Sequence, residues 1–156
     1  MKIRVIAVGS KMPDWVEDGW DDYAKRLGID MPVELVEVPV AKRSNNSNIL
    51  SLMEKEAQSI LAAIKPGDRM IALDVLGKAL STEQMAAQLT GWQGDGRNLA
   101  IIIGGPDGIH PDLLKRAEHK WSLSALTYPH PLVRLVLIEQ LYRCWSIHHN
   151  HPYHRA

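Results

Sequence analysis

A histidine, a tyrosine and an arginine crowd the end of this chain. The run His151-Pro152-Tyr153-His154-Arg155 holds an imidazole that can take up a proton near neutral pH, its reference pKa being ~6.5. It also holds a phenol able to stack on a base and a guanidinium able to steady negative charge or grip phosphate; Arg143 offers a second guanidinium. All seven histidines lie between His110 and His154, and four fall between His148 and His154, which marks the C-terminal third as the chemical end. Such a cluster raises the question of a metal, and a zinc site needs three or four ligands in fixed geometry. There is no cysteine pair, no His-Glu-x-x-His and no carboxylate after Glu139, so no metal is expected. The bland reading of the tail is a solvated, frayed end.

A second kind of chemistry is suggested by Ile101-Ile-Ile-Gly104-Gly105-Pro106-Asp107-Gly108. An apolar run stopping at Gly-Gly-Pro reads as a buried strand ending in a tight turn. Glycines there leave backbone that a flat ligand can approach, although a plain tight turn uses the same residues. The segment from Trp121 to Arg134 repeats the logic, with Pro129 and Pro131 stiffening its exit. Two strand ends with bare backbone suggest a pocket for a nucleotide-like cofactor. The usual dinucleotide fingerprint is absent, since a lone Gly9 follows the first strand, and there is no Gly-Lys-Ser/Thr phosphate loop.

Strands alternating with helices must position these groups. Strands are expected at 2–8, 33–38, 69–73, 99–103 and 121–124. Helices are expected from Asp14 to about Leu27, from about 48 to 64, from Ser81 (capping-box spacing to Gln84) to about Trp92, from Pro111, and from Leu132 to about Ile147. This order predicts an α/β fold, a mainly parallel sheet with helices on both faces, in a single domain spanning 1–156. Ligands then bind beyond the carboxyl ends of the strands, here at Gly9-Ser10, Leu73-Asp74, Gly104-Gly105 and 125–128. In the last helix Leu132, Leu135, Val136, Ile138 and Leu141 exceed one helical face. That surplus suits burial in both the sheet and a dimer interface.

The balance of 18 basic against 18 acidic residues argues against a protein that coats nucleic acid by charge alone, while leaving room for a local RNA site. Lys42 and Arg43 could touch RNA phosphate or lie in a solvated loop. Arg134 reads as an interface or substrate residue. Trp15, Trp20 and Tyr23 have helical spacing and could stack or be partly buried. The lone Cys144 suits a buried helix position and a reducing compartment. The N-terminal apolar run is too short for a signal peptide and no run approaches the ~18 residues of a membrane span. The chain is therefore expected to be cytoplasmic, with no membrane partner.

Five segments together resemble the RlmH family, bacterial methyltransferases of the SPOUT superfamily that act on N3 of a pseudouridine in large-subunit ribosomal RNA. They are Val8-Gly-Ser-Lys-Met-Pro-Asp-Trp15, Leu73-Asp-Val-Leu-Gly-Lys78, Gly104-Gly-Pro-Asp-Gly108, Trp121 to Arg134, and Asn150-His-Pro-Tyr-His-Arg155. The resemblance covers essentially the whole chain. It implies a C-terminal trefoil knot, one of the exceptions to unknotted topology. It implies S-adenosylmethionine as cofactor, held by Leu73, Gly104 and the run Leu123, Ser124, Ala125, Leu126, Thr127 and Tyr128, with Gly105 leaving room beside it. Leu73 and Leu123 would sandwich the adenine, ordinary core packing being the alternative. It implies a homodimer with the substrate pocket completed across the interface, 23S rRNA in the assembled ribosome as partner, and no DNA. The family's active-site region includes the tail, so His154, Tyr153, Arg155 and Arg143 become the catalytic candidates. Two rival readings remain: a non-catalytic ribosome-binding module, and another nucleotide enzyme using Gly104–Gly108 as a phosphate turn.

Overall fold

A computed structural model describes all residues, 1–156. Five strands, β1 (Ile3–Val8), β2 (Val33–Val38), β3 (Arg69–Ala79), β4 (Leu99–Ile103) and β5 (His119–Ser122), form one sheet in the order β2-β1-β4-β3-β5. Every pairing is parallel, so all strands point their carboxyl ends to one side. The strands alternate with α1 (Asp14–Arg26), α2 (Ile49–Ala63), α3 (Thr82–Trp92), α4 (Pro111–Arg116) and α5 (His130–His148).

Side-chain alternation along buried strands divides the core in two. Leu99, Ile101 and Ile103 of β4 face a layer containing Trp20 of α1, Leu89 of α3 and Leu137 of α5. Ala100 and Ile102 face Ile60 of α2 and Leu113 beside it on α4. Helices thus cover both faces, as the strand–helix rhythm predicts. The capping box of α3 is complete: the Ser81 hydroxyl accepts from the Gln84 amide at 3.1 Å, and the Gln84 side chain accepts from the Ser81 amide at 2.9 Å. At the amino ends of the strands, ion pairs Arg4–Asp68, Arg69–Asp95 and Arg97–Glu118 close the sheet. No helix is long and apolar enough to cross a membrane.

Several boundaries differ from the sequence expectation: β1 starts at Ile3 and β5 ends at Ser122 rather than Ser124. β5 starts at His119 rather than Trp121, and α5 at His130, with Pro131 in its first turn. β3 continues past Leu73 to Ala79 after an interruption. Trp121 pairs with Leu73 on one side of it and with Lys78 on the other, so residues 74–77 bulge out while the strand resumes. Gly77 makes this possible: a Cβ there would lie 2.7 Å from the Lys120 carbonyl carbon and 2.9 Å from that of Trp121.

The apolar surplus of α5 is used in part within the chain: the helix packs on the sheet, α1 and α3, while Leu132 stays exposed and Leu135 and Val136 half-buried. Leu135 packs so closely on α1 that a Cβ at Gly19 would come within 2.8 Å of it. Leu137, Ile138 and Leu141 are fully buried in the same layer.

Candidate active site

A cavity of about 980 Å³ opens at the carboxyl ends of all five strands, lined by residues from segments 8–12, 39–40, 73–75, 103–109, 121–128 and 130–133. This is where a parallel sheet presents its ligand site. Of the nine expected cofactor residues, Leu73, Gly104, Gly105, Leu123, Ser124, Leu126, Thr127 and Tyr128 line it; Ala125 is exposed in the same loop but outside the lining. Leu73 and Leu123 each pack against the core below, which fixes two apolar surfaces over the cavity.

The lining has a distinct charge character. Asp74 and Asp107 are its charged residues, and it contains no lysine or arginine. Half of it, 13 of 26 residues, is hydrophobic, so apolar faces and polar edges are both met.

The glycines line the cavity and also shape the turn beside it. Gly105 to Gly108 form a β-turn closed by the Gly108 amide donating to the Gly105 carbonyl at 3.0 Å. A Cβ on Gly104 would meet the Gly108 carbonyl carbon and the Ile109 side chain at 2.8 Å. The bare backbone at 104 therefore lets the turn close on itself. The neighbouring loop is shaped by serine: Ser124 Oγ accepts from the Leu126 amide at 2.9 Å.

Two arginines are tied into this architecture, Arg134 buried and Arg43 half-buried. Arg134 is 1% exposed and is neither a surface interface residue nor free for substrate. Its Nε donates to His130 Nε2 at 3.0 Å, Nη1 to Glu37 at 2.7 Å and Nη2 to the Gly9 carbonyl at 3.1 Å. Arg43 is not a solvated loop residue: it donates to Asp107 at 2.7 Å and to Glu56 at 3.2 Å. It thereby straps the 41–43 loop to the Gly105–Gly108 turn. Sequence reasoning missed His130 and Asp107 as lining residues. The signal for His130 was its place in the proline-flanked exit, four residues before Arg134, on one helical face.

The catalytic candidates gather elsewhere. The 19 residues of α5 span about 28 Å at ~1.5 Å per residue; its first turn meets the cavity, and the tail folds back on its second half. Tyr153 donates to Glu139 at 3.0 Å and lies 3.0 Å from the Tyr23 hydroxyl. Burial, with those two bonds, pushes its phenol pKa well above the ordinary value, so it stays protonated. Arg143 donates to Glu139 at 2.9 Å, which raises its pKa, and lies over the Tyr153 ring at 4.9 Å. His154 has both ring nitrogens engaged: Nδ1 accepts from Arg143 at 3.3 Å, leaving Nε2–H for Glu83 at 3.2 Å. The Glu83 carboxyl pKa is lowered, first by its own backbone amide and also by His154. Arg155 is exposed. None of these four candidates lines the cavity of its own chain. Glu139 was also missed, though its spacing to Arg143 is that of a helical ion pair.

Trp20 is buried and Trp15 is 56% exposed, so the aromatic residues of α1 do not share one stacking face. Cys144 is buried, and burial pushes its thiol up to about 12. No group of three or more His, Cys, Asp or Glu side chains is arranged to hold a metal ion.

Comparison with known proteins agrees with this geometry. A family model described as "Predicted SPOUT methyltransferase" matches residues 1–154. A ribosomal RNA large subunit methyltransferase H of Marinomonas sp. (strain MWYL1) is 52% identical over 155 residues, covering 99% of this chain and all of that protein. Its counterpart from Ectopseudomonas mendocina (strain ymp) is 49% identical over the same span and coverage. Among solved structures, one described as a "probable methylase family protein" from Haemophilus influenzae Rd KW20 superposes with a TM-score of 0.51 at 14% identity. That match covers 95% of this chain and 66% of the other, and speaks to fold alone. With its parallel sheet, its cavity at the strand ends and full-length relatives at about half identity, the chain belongs to the RlmH family of SPOUT methyltransferases.

Proposed function

We propose that this protein transfers a methyl group from S-adenosylmethionine to N3 of a pseudouridine in the 23S rRNA of assembled ribosomes, in the cytoplasm. The observation that carries the cofactor reading is the lining of the cavity: it contains no basic side chain, and of its two carboxylates Asp74 has no cationic partner while Asp107 is paired with Arg43 from outside the lining. A phosphate-bearing nucleotide would meet repulsion there, whereas a ligand with sulfonium and ammonium charges meets complementary ones. The volume suits it, and Leu73 and Leu123 supply apolar faces for a flat ring. The RNA substrate is supported by the two full-length relatives, both described as ribosomal RNA large subunit methyltransferases.

When bound, S-adenosylmethionine supplies an electrophilic methyl group for in-line displacement. The chain must hold the acceptor nitrogen on that line, which itself removes much of the barrier. N3 of pseudouridine carries a proton between two carbonyls, and that proton must leave. Of the tail groups, Tyr153 is held protonated and Arg143 charged, so they suit hydrogen bonding and stabilisation of a developing anion. His154 is the group that can accept the proton, once its Nδ1 exchanges Arg143 for the substrate; Arg155 is left to grip phosphate.

Because the tail packs away from its own cavity, we infer a homodimer in which a second copy completes each site. Val75 and Leu126, 74% and 70% exposed, line the cavity, and Leu76 beside Val75 in sequence is 90% exposed, an apolar surface that a second copy would cover. A trefoil knot is part of the same proposal. It is supported by the 74–77 excursion of β3 and by the contact of Gly77 with the β5 backbone.

The test is transfer of labelled methyl from S-adenosylmethionine to assembled ribosomes and to naked large-subunit RNA, with the modified nucleoside identified by mass. Since net charge is zero, long-range attraction to RNA is weak and ribosomes should be far the better substrate. Equal rates on a short naked hairpin would refute the substrate reading. Absence of transfer despite cofactor binding would favour a non-catalytic module.

A further inference from the structure

We propose that His130, acting with Arg134, is a positioning residue whose neutral Nδ1–H form fastens the carboxyl ends of β1 and β2 and so sets the geometry of the cavity. The inference rests on that cavity being the S-adenosylmethionine site. Arg134 Nε can only donate, so His130 Nε2, 3.0 Å away, must carry a lone pair. The ring proton is then on Nδ1, and the Gly104 backbone is the neighbour that favours a proton on the ring. The same guanidinium reaches Glu37 in β2 and the Gly9 carbonyl just beyond β1. One imidazole and one guanidinium, both on the first turns of α5, thus link the ends of β2 and β1, with His130 and Gly104 both lining the cavity.

Protonation would undo this arrangement. A proton on Nε2 removes the acceptor and sets a cation against Arg134. The ring must then turn, which shifts the cavity wall that it shares with Gly104. The charged groups facing the ring are Arg134 on α5 and Glu37 on β2, the latter reaching it through Arg134. Burial, with Arg134 beside it, lowers the pKa of the ring below its ordinary value. His130 is therefore neutral at pH 7 and takes a proton only below ~6.5. Cofactor affinity should be flat above that point and fall as pH drops below it.

The experiment pairs calorimetric binding of S-adenosylmethionine, from about pH 5 to about pH 8, with nitrogen-detected NMR of the histidine rings and glycine amides in the full-length protein. His130→Ala should weaken binding roughly tenfold at neutral pH, the scale of one lost charge-assisted hydrogen bond. His130→Gln supplies both an acceptor and a donor without titrating. It should bind within about threefold of wild type and lose the acid-side fall. NMR should find the Nδ1–H tautomer, with the Gly104 and Gly105 amides titrating at the ring's midpoint in wild type but not in His130→Gln. Wild-type affinity in a folded His130→Ala, an acid-side fall that persists in His130→Gln, or a ring protonated on Nε2 at neutral pH would overturn the proposal. Should wild type fail to bind S-adenosylmethionine, the cofactor reading falls. The glycine titration then decides this inference: coupling to His130 upholds it, and its absence overturns it.

Discussion

Gly77→Ala should damage this protein more than its one added methyl group suggests. The new Cβ would sit 2.7 and 2.8 Å from the carbonyl carbon and oxygen of Lys120 and 2.9 Å from the carbonyl carbon of Trp121, where carbon contacts are comfortable only at ~3.5–4.0 Å. All three atoms are backbone, so no side-chain rotation relieves the overlap and β3 and β5 must separate. Overpacking of this kind costs about 1–3 kcal/mol, and the stiffer unfolded chain offsets about 0.4–1 kcal/mol of it. A net loss of about 1–2 kcal/mol lowers Tm by roughly 2–8 °C for a chain of this size. Because β5 runs straight into the loop carrying Leu123 to Tyr128, S-adenosylmethionine should also bind roughly tenfold more weakly. Gly91→Ala is the control: nothing lies within 4 Å of its Cβ, in the last turn of α3. A gain of about 0.5–1 kcal/mol there raises Tm by about 1–4 °C and leaves affinity alone. Thermal unfolding by circular dichroism and calorimetry read both. A Gly77→Ala protein as stable as wild type, with unchanged affinity, would refute the packing argument and the link from β5 to the site.

Tyr153→Phe removes the bonds to Glu139 and Tyr23; it should lose about 1 kcal/mol of stability by chemical denaturation and slow methyl transfer, with cofactor affinity intact by calorimetry. Arg43→Ala leaves the 3%-exposed Glu56 with the Ala41 amide as its remaining partner. It should lower Tm, and adding Glu56→Gln should recover part of the loss, because a neutral amide needs no counter-charge. Cys144, its thiol pushed up to about 12, should resist alkylation at about pH 8 until the protein unfolds. Its contribution to stability is intact below the free-thiol pKa near ~8.5 and is lost as pH rises toward the folded value, which urea titration between about pH 8 and 10 would reveal.

The strand–helix rhythm was legible because it is written in local patterns. The alternation of Val33-Glu-Leu-Val-Glu-Val38, the apolar run ending at Gly104 and the Ser81–Gln84 spacing each report a nearby physical constraint. What eluded the sequence depends on contacts between distant segments. Nothing near Gly77 announces that β5 will lie against it. The apolar excess of α5 looks the same whether a second chain or α1 and α3 absorb it; the chain's own core takes Leu137, Ile138 and Leu141 and leaves Leu132 exposed. Gly104 shows only that bulk is forbidden, not that the Gly108–Ile109 backbone fills the space. Arg134 and Arg43 resemble surface cations until Glu37, Glu56 and Asp107 arrive from other parts of the chain. Residues that line the cavity were recognised by motif, whereas the distance between that cavity and the tail of the same chain emerges only from the length and direction of α5.

The central claim is that the cavity binds the methyl donor while the tail acts on the acceptor. Single-turnover transfer to assembled ribosomes at saturating S-adenosylmethionine, paired with calorimetry, tests it on the full chain and on a chain lacking Tyr153 to Ala156. The account predicts rapid labelling of large-subunit RNA by the full chain. The shortened one should keep cofactor affinity within a few-fold (~1 kcal/mol or less), give up some stability with the lost Tyr153 packing, and transfer no methyl group. Near-wild-type transfer by the shortened chain would contradict it.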